Sequence, residues 1–124
     1  MKVLMINTVA TERNGVTNVI CNLHAAMDKS DMTVDLLAIN TPDEIYNAQF
    51  AAAGGKVTVL ARSIAHPLRY VNALKKHIRE NGYDIIHAHG NSATLALEML
   101  AAKLGGCKVR IAHSHNTTCT FMAV

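Results

Sequence analysis

Hydrophobic and polar positions along this chain fall into two alternating patterns. Short runs at residues 3–6, 33–39, 56–60, 84–88 and 108–112 are apolar at nearly every position or mixed. Such runs suit strands covered on both faces of a parallel sheet. Between the first two, Val16, Val19, Ile20, Leu23 and Met27 mark one face of an amphipathic helix. Between the third and fourth, Tyr70, Val71, Leu74 and Ile78 do the same, with Pro67 in the first helical turn and Gly82 at the C-cap. Residues 93–104 are alanine-rich and almost wholly apolar up to Gly105-Gly106, which predicts the most buried helix. Residues 42–53 form a weaker helical pattern closed by Gly54-Gly55.

Strand and helix in strict alternation predict an α/β fold. The expected form is a Rossmann-like three-layer αβα sandwich with a mostly parallel, doubly wound sheet and right-handed crossovers. Ligands of such sheets bind beyond the carboxyl ends of the strands, near the topological switch point. That rule directs attention to residues 7–18, 39–43, 61–66, 87–92 and 113–118.

Composition narrows the class. The 124 residues are enough for one domain, and 50% hydrophobic against 17% charged residues argues against disorder. Cys21, Cys107 and Cys119 have neither CxxC nor zinc-ligand spacing, so they read as reduced thiols of a cytoplasmic protein. The apolar start is too short for a signal peptide, and nothing approaches the roughly 18 uninterrupted apolar residues of a membrane span. A net charge of +3 permits anionic ligands without calling for nucleic acid, and none is expected as a partner.

Candidate chemistry gathers at two places on the expected ligand edge. The loop 8–18 leads from a strand into a helix and carries Arg13, Asn14 and Gly15 just before it. A glycine there lets backbone approach a ligand, and helix N-terminal amides favour phosphate. GxGxxG and P-loop fingerprints are absent, and Gly15 could equally serve only the turn. The second place is the pair of strand ends carrying His87, His89, His113 and His115, four of the seven histidines. Strand alternation puts each pair on one face. Three readings stay open: a zinc-type site, recognition of sugar hydroxyls or phosphate, and imidazoles that only bond to backbone and hold loops. A metal-dependent hydrolase built on these histidines, and a stand-alone flavodoxin-like binding module, are the corresponding alternative functions.

Three segments together resemble a known family. The run from Asp84 to His89, DIIHAH, resembles the D-[IV]-[IVL]-H-x-H segment of family 4 glycosyltransferases. The run from His113 to Thr117, HSHNT, is similar to a segment of their members in bacterial exopolysaccharide and capsule synthesis. Asn14-Gly15-Val16-Thr17-Asn18-Val19, with Asn22-Leu23, resembles their glycine-rich first loop and the following helix. The resemblance implies half of a GT-B fold: residues 1–124 as the N-terminal, acceptor-side domain, truncated before a donor-binding domain. It implies retaining transfer from a nucleotide-sugar to a glycan or lipid-linked acceptor, without a metal or other cofactor. By position, His115 matches the catalytic histidine, and Gly15 with Val16 the donor-diphosphate contact. His89, Asn116 and Asn14 would face the acceptor. The usual second loop glycine and the Ala-Glu after the pair are replaced by Asn14 and by Val16-Thr17; an asparagine able to adopt positive φ would keep the loop's shape. None of Glu12, Glu44, Glu80 and Glu98 forms the family's E-x7-E pair.

One feature lies outside these motifs. Arg69, Asn72, Lys75, Lys76 and Arg79 share one arc of the helix at 67–81. They form either a solvated face or a surface for the anionic inner leaflet of the plasma membrane. Apolar surface left uncovered on a lone half would favour self-association.

Overall fold

Strand and helix alternate as the pattern predicts in the computed structural model, which describes residues 1–91 and 94–115. The strands are β1 (Lys2–Asn7), β2 (Thr33–Ala38), β3 (Val57–Val59), β4 (Ile85–Gly90) and β5 (Val109–Ser114). The helices are α1 (Gly15–Ala26), α2 (Glu44–Ala52), α3 (Pro67–Asn81) and α4 (Ala96–Leu104). All strand pairs are parallel, in the order β3-β2-β1-β4-β5. The order reverses between β1 and β4, which is therefore the switch point.

Alternation along β1 divides the core. Leu4 and Ile6 join Leu37, Ile86 and Ala88 beneath Tyr70, Val71, Leu74 and Ile78 of α3 and Ala101 and Ala102 of α4. Val3 and Met5 join Val34 and Leu36 beneath Ile20 of α1 and Phe50 of α2. Helices α1 and α2 thus cover one face and α3 and α4 the other, which makes the three-layer sandwich. Each fully buried Leu or Ile contributes about 1.5–3 kcal/mol relative to exposure. Gly82 closes α3 in the left-handed conformation, as its position predicts.

Two expectations fail at the β5 side. The helix expected at 93–104 is described from Ala96, residue 93 lying outside the described residues, and it is not sheathed all round. Glu98, Ala101 and Ala102 are buried and Leu97 and Met99 pack partly against the core, while Leu100 and Leu104 are 44% and 46% exposed. Strand β5 is likewise open instead of covered on both faces, with Val109 and Ile111 exposed. In the described sheet it is an end strand, and β4 flanks it on one side. Its span also runs past the expected 108–112, because pairing with β4 continues to Gly90 opposite Ser114.

Burial of charge in this core is paired. Arg62, in the loop after β3, donates from Nε to Glu98 Oε2 at 2.8 Å and from Nη2 to Glu98 Oε1 at 3.2 Å. The same Nη2 bonds the Thr94 carbonyl at 2.9 Å, and the Tyr70 hydroxyl donates to Glu98 at 2.7 Å. Burial first, and then the Glu98 charge, raise the Tyr70 phenol above its ordinary value, so it remains a donor. The network ties two loops of the ligand edge to α3 and α4. Glu98→Ala strands the buried Arg62 guanidinium and should destabilise the domain by ~3–5 kcal/mol in urea unfolding. A loss below about 1 kcal/mol, the worth of a surface pair, would contradict this.

Candidate functional site

Buried polar groups at the ends of β1 and β4 shape the carboxyl edge. Asn7 is fully buried, and its Nδ2 donates to Thr11 Oγ1 at 3.0 Å and Thr17 Oγ1 at 3.1 Å. Its Oδ1 accepts from the Val9 N–H at 3.1 Å, while the Thr11 N–H donates to Asn40 Oδ1 at 2.7 Å. One side chain thereby folds the β1–α1 loop back onto the first turn of α1. Across the switch point the Thr8 hydroxyl donates to the His89 carbonyl at 2.8 Å, and the His115 N–H donates to the Gly90 carbonyl at 3.0 Å. Gly90 has φ 151°, and a Cβ there would lie 1.8 Å from Thr8 Oγ1. Only glycine lets β1, β4 and residue 115 meet this closely.

The loop before α1 departs from expectation in one respect. Asn14 does not use a positive φ; its backbone is extended (φ −151°), and no described non-glycine residue has positive φ. Its side chain is the N-cap instead. Oδ1 accepts from the Thr17 N–H at 2.9 Å, and Nδ2 donates to the Ala10 carbonyl at 2.9 Å. Capping by asparagine explains why the loop does without a second glycine. Gly15 opens α1, and a Cβ on it would meet nothing within 4 Å. The protein's own packing does not demand a glycine there. The N–H groups of Gly15 and Val16 precede the first intrahelical donor, Asn18, and have no acceptor within the helix.

Val9, Asn14, Gly15, Val16 and His115 line one cleft of about 490 Å³. Residues far apart in the chain, a helix N-terminus and an imidazole, thus share one open space. His115 is also hydrogen-bonded to His89, Nε2 to Nδ1 at 3.1 Å, and His87 Nε2 lies 3.3 Å from His113 Nδ1. The rings stack as a group, with centroids 4.1 Å apart for His87–His89 and 4.5 Å for His113–His115. Each nitrogen–nitrogen bond needs one N–H and one lone pair, so the tautomers of a pair are linked. Burial first, then neighbouring imidazoles, lower the pKa of His87 and His115 and push His89 down to about 3. At neutral pH these three are hydrogen-bonding groups without charge.

The sequence-predicted residues therefore divide. His115, Gly15, Val16 and Asn14 come together at the cleft, and His89 stands behind His115 in full burial. Asn116 lies outside the described residues. His87 and His113 lie in the stack and bond to each other through their rings. Sequence reasoning passed over Asn7, Thr17, Asn40, Arg62 and Glu98. Asn7 had a signal, a polar residue closing an otherwise apolar strand at the ligand edge.

Fold and edge together define an open parallel α/β domain with a helix N-terminus and imidazoles at its switch point. Comparison with known proteins then gives the family. The Glycosyltransferase Family 4 profile matches residues 13–121, and the chain belongs to that family. It is 34% identical over 108 residues to "Putative glycosyltransferase EpsF" of Bacillus subtilis (strain 168). The match covers 86% of this chain and 28% of that relative, so the chain spans under a third of the relative's length. No solved structure matches significantly. Neither the hydrolase nor the flavodoxin-like alternative gains support from these matches.

Two glycines give the site a stability test. Gly15→Ala meets no clash and should leave stability unchanged or raise it by about 0.4–1 kcal/mol. Gly90→Ala should lower it by at least ~1–3 kcal/mol, since backbone strain and the Thr8 clash combine. Urea unfolding of both variants checks the pair; equal losses would refute the distinction.

Proposed function

We propose that this domain is the acceptor-side half of a retaining glycosyltransferase in cell-surface polysaccharide synthesis. It acts with a donor-binding half to move a sugar from a nucleotide-sugar to a glycan or lipid-linked acceptor. The observation that carries the reading is the shared cleft of Gly15, Val16 and His115. The donor diphosphate approaches the α1 N-terminus, where free amides and the helix dipole favour negative charge. The missing side chain of Gly15 gives that approach its room.

His115 is the catalytic residue in this reading. No carboxylate lines the cleft among the described residues, so catalysis falls to positioning and electrostatics rather than to a carboxylate nucleophile. Its imidazole, backed by His89, holds the acceptor hydroxyl or the departing donor as a hydrogen-bond partner. His89, Asn116 and Asn14 belong to the acceptor side, and no resident metal is invoked. Half a cleft cannot hold both reactants in attack geometry, so the 124-residue chain alone should be inactive. In the complete enzyme, His115→Ala should lower kcat about 10²-fold or more with the melting temperature little changed. Gly15→Ala should raise the donor KM without loss of fold. Near-normal turnover by the His115 variant would remove it from the mechanism.

A cytoplasmic enzyme at the inner face of the plasma membrane is the accompanying proposal. Among the described residues no helix is long and apolar enough to cross a membrane. Support for peripheral contact comes from Ile64 and Leu68, 63% and 74% exposed beside the basic Arg69. Part of the basic arc has other work: Arg79 bonds the Leu104 carbonyl at 2.8 Å, and Lys76 lies 3.9 Å from Glu80. Binding to anionic vesicles should therefore fall with salt and fall further in Leu68→Ala/Arg69→Gln. Equal binding by that variant would return α3 to a solvated face.

A further inference from the structure

The four-histidine stack is larger than the transfer reaction uses: His87 and His113 have no role there, and His89 has one ring nitrogen to spare. We propose that His87, His89 and His113 form a binding site for a divalent transition-metal ion of the zinc, nickel or copper kind. This goes beyond the transferase reading and rests on the geometry of β4 and β5 alone.

The register sets the three side chains on one face of adjacent strands, with His89 opposite His113 and His87 two residues before His89. One ring nitrogen from each lies within 4.8 Å of the others. Zinc–imidazole bonds of about 2.0–2.1 Å place neighbouring nitrogens roughly 3.4 Å apart in a tetrahedral site. Closing the set around an ion takes rotation of the rings out of their stacked arrangement, on strands whose register already holds them together. A second observation points to a ligand. His89 is fully buried, its Nδ1 is taken by His115, and its Nε2 has no hydrogen-bond partner. Buried polar atoms are rarely left unpaired; His24 and His77 also carry a buried unpaired Nε2, but of the three only His89 belongs to a cluster of possible ligands, where an ion would satisfy it.

The donor set selects the metal. Imidazoles with no carboxylate among them suit zinc, nickel and copper and do not suit magnesium or calcium, which take oxygen ligands.

The test uses the 124-residue chain stripped with a chelator and titrated with zinc or cobalt(II) at neutral pH. Calorimetry should give one zinc per chain. The cobalt complex should show visible ligand-field bands with no near-ultraviolet thiolate charge transfer, which separates imidazole ligands from Cys21, Cys107 and Cys119. His87→Asn and His113→Asn should each weaken binding by more than about tenfold, the loss that even an outer hydrogen-bond partner of a ligand can cause. Exposed His66→Asn should leave it unchanged. Absence of stoichiometric binding by the unmodified chain would overturn the proposal, as would a thiolate band. So would undiminished affinity in either variant; the cobalt spectrum of the unmodified chain decides the matter should both variants fail to fold.

Discussion

Parallel pairing of β1 with β4, in the register that sets Asn7 opposite His89, is the constraint on which the rest of this molecule depends. The strand order reverses there while all strands stay parallel, so loops from both halves open onto one edge. The Thr8 hydroxyl on the His89 carbonyl locks the ends of the two strands together. Glycine at 90 lets residue 115 approach by its backbone N–H. Shift that register by one residue and His87 and His89 would turn to the opposite face, away from the cleft.

Around that seam, polar groups are buried only where they are paired. Asn7 satisfies both ends of its amide within the β1–α1 loop, and Glu98 accepts from Arg62 and Tyr70 beneath the neighbouring loops. Such networks hold irregular backbone in one geometry, because each unpaired group would carry its full desolvation cost. Three imidazoles are exceptions, His24 and His77 under the helices and His89 within the stack, each with its Nε2 unsatisfied. A rigid edge with one unsatisfied nitrogen at its centre joins the cleft and the histidine cluster in one site.

Much of this was legible beforehand, for identifiable reasons. Periodicity reveals strands and helices that bury a face, so β1, β2, α1 and α3 stood out, and the ligand-edge rule located the histidines and Gly15. Periodicity carries no information about what lies beside an element. Leu100, Leu104, Val109 and Ile111 therefore looked like core residues yet face outward. Pairwise polar bonds were equally hidden. Glu98 sat in an apolar helix with nothing local to show that Arg62, 36 residues earlier, would meet it. Asn14 was read as a substitute for glycine's backbone freedom, and it acts through its side chain as a cap.

The central claim is that the N-terminus of α1 and His115 face one reacting group across a common cleft. A crystal structure of the complete enzyme with an intact nucleotide-sugar and an acceptor analogue tests it most directly. A diphosphate oxygen is expected within about 3 Å of the Gly15 or Val16 N–H. A His115 ring nitrogen is expected at similar range from the transferred sugar or the acceptor hydroxyl. A diphosphate bound away from α1, with His115 touching neither substrate, would contradict it.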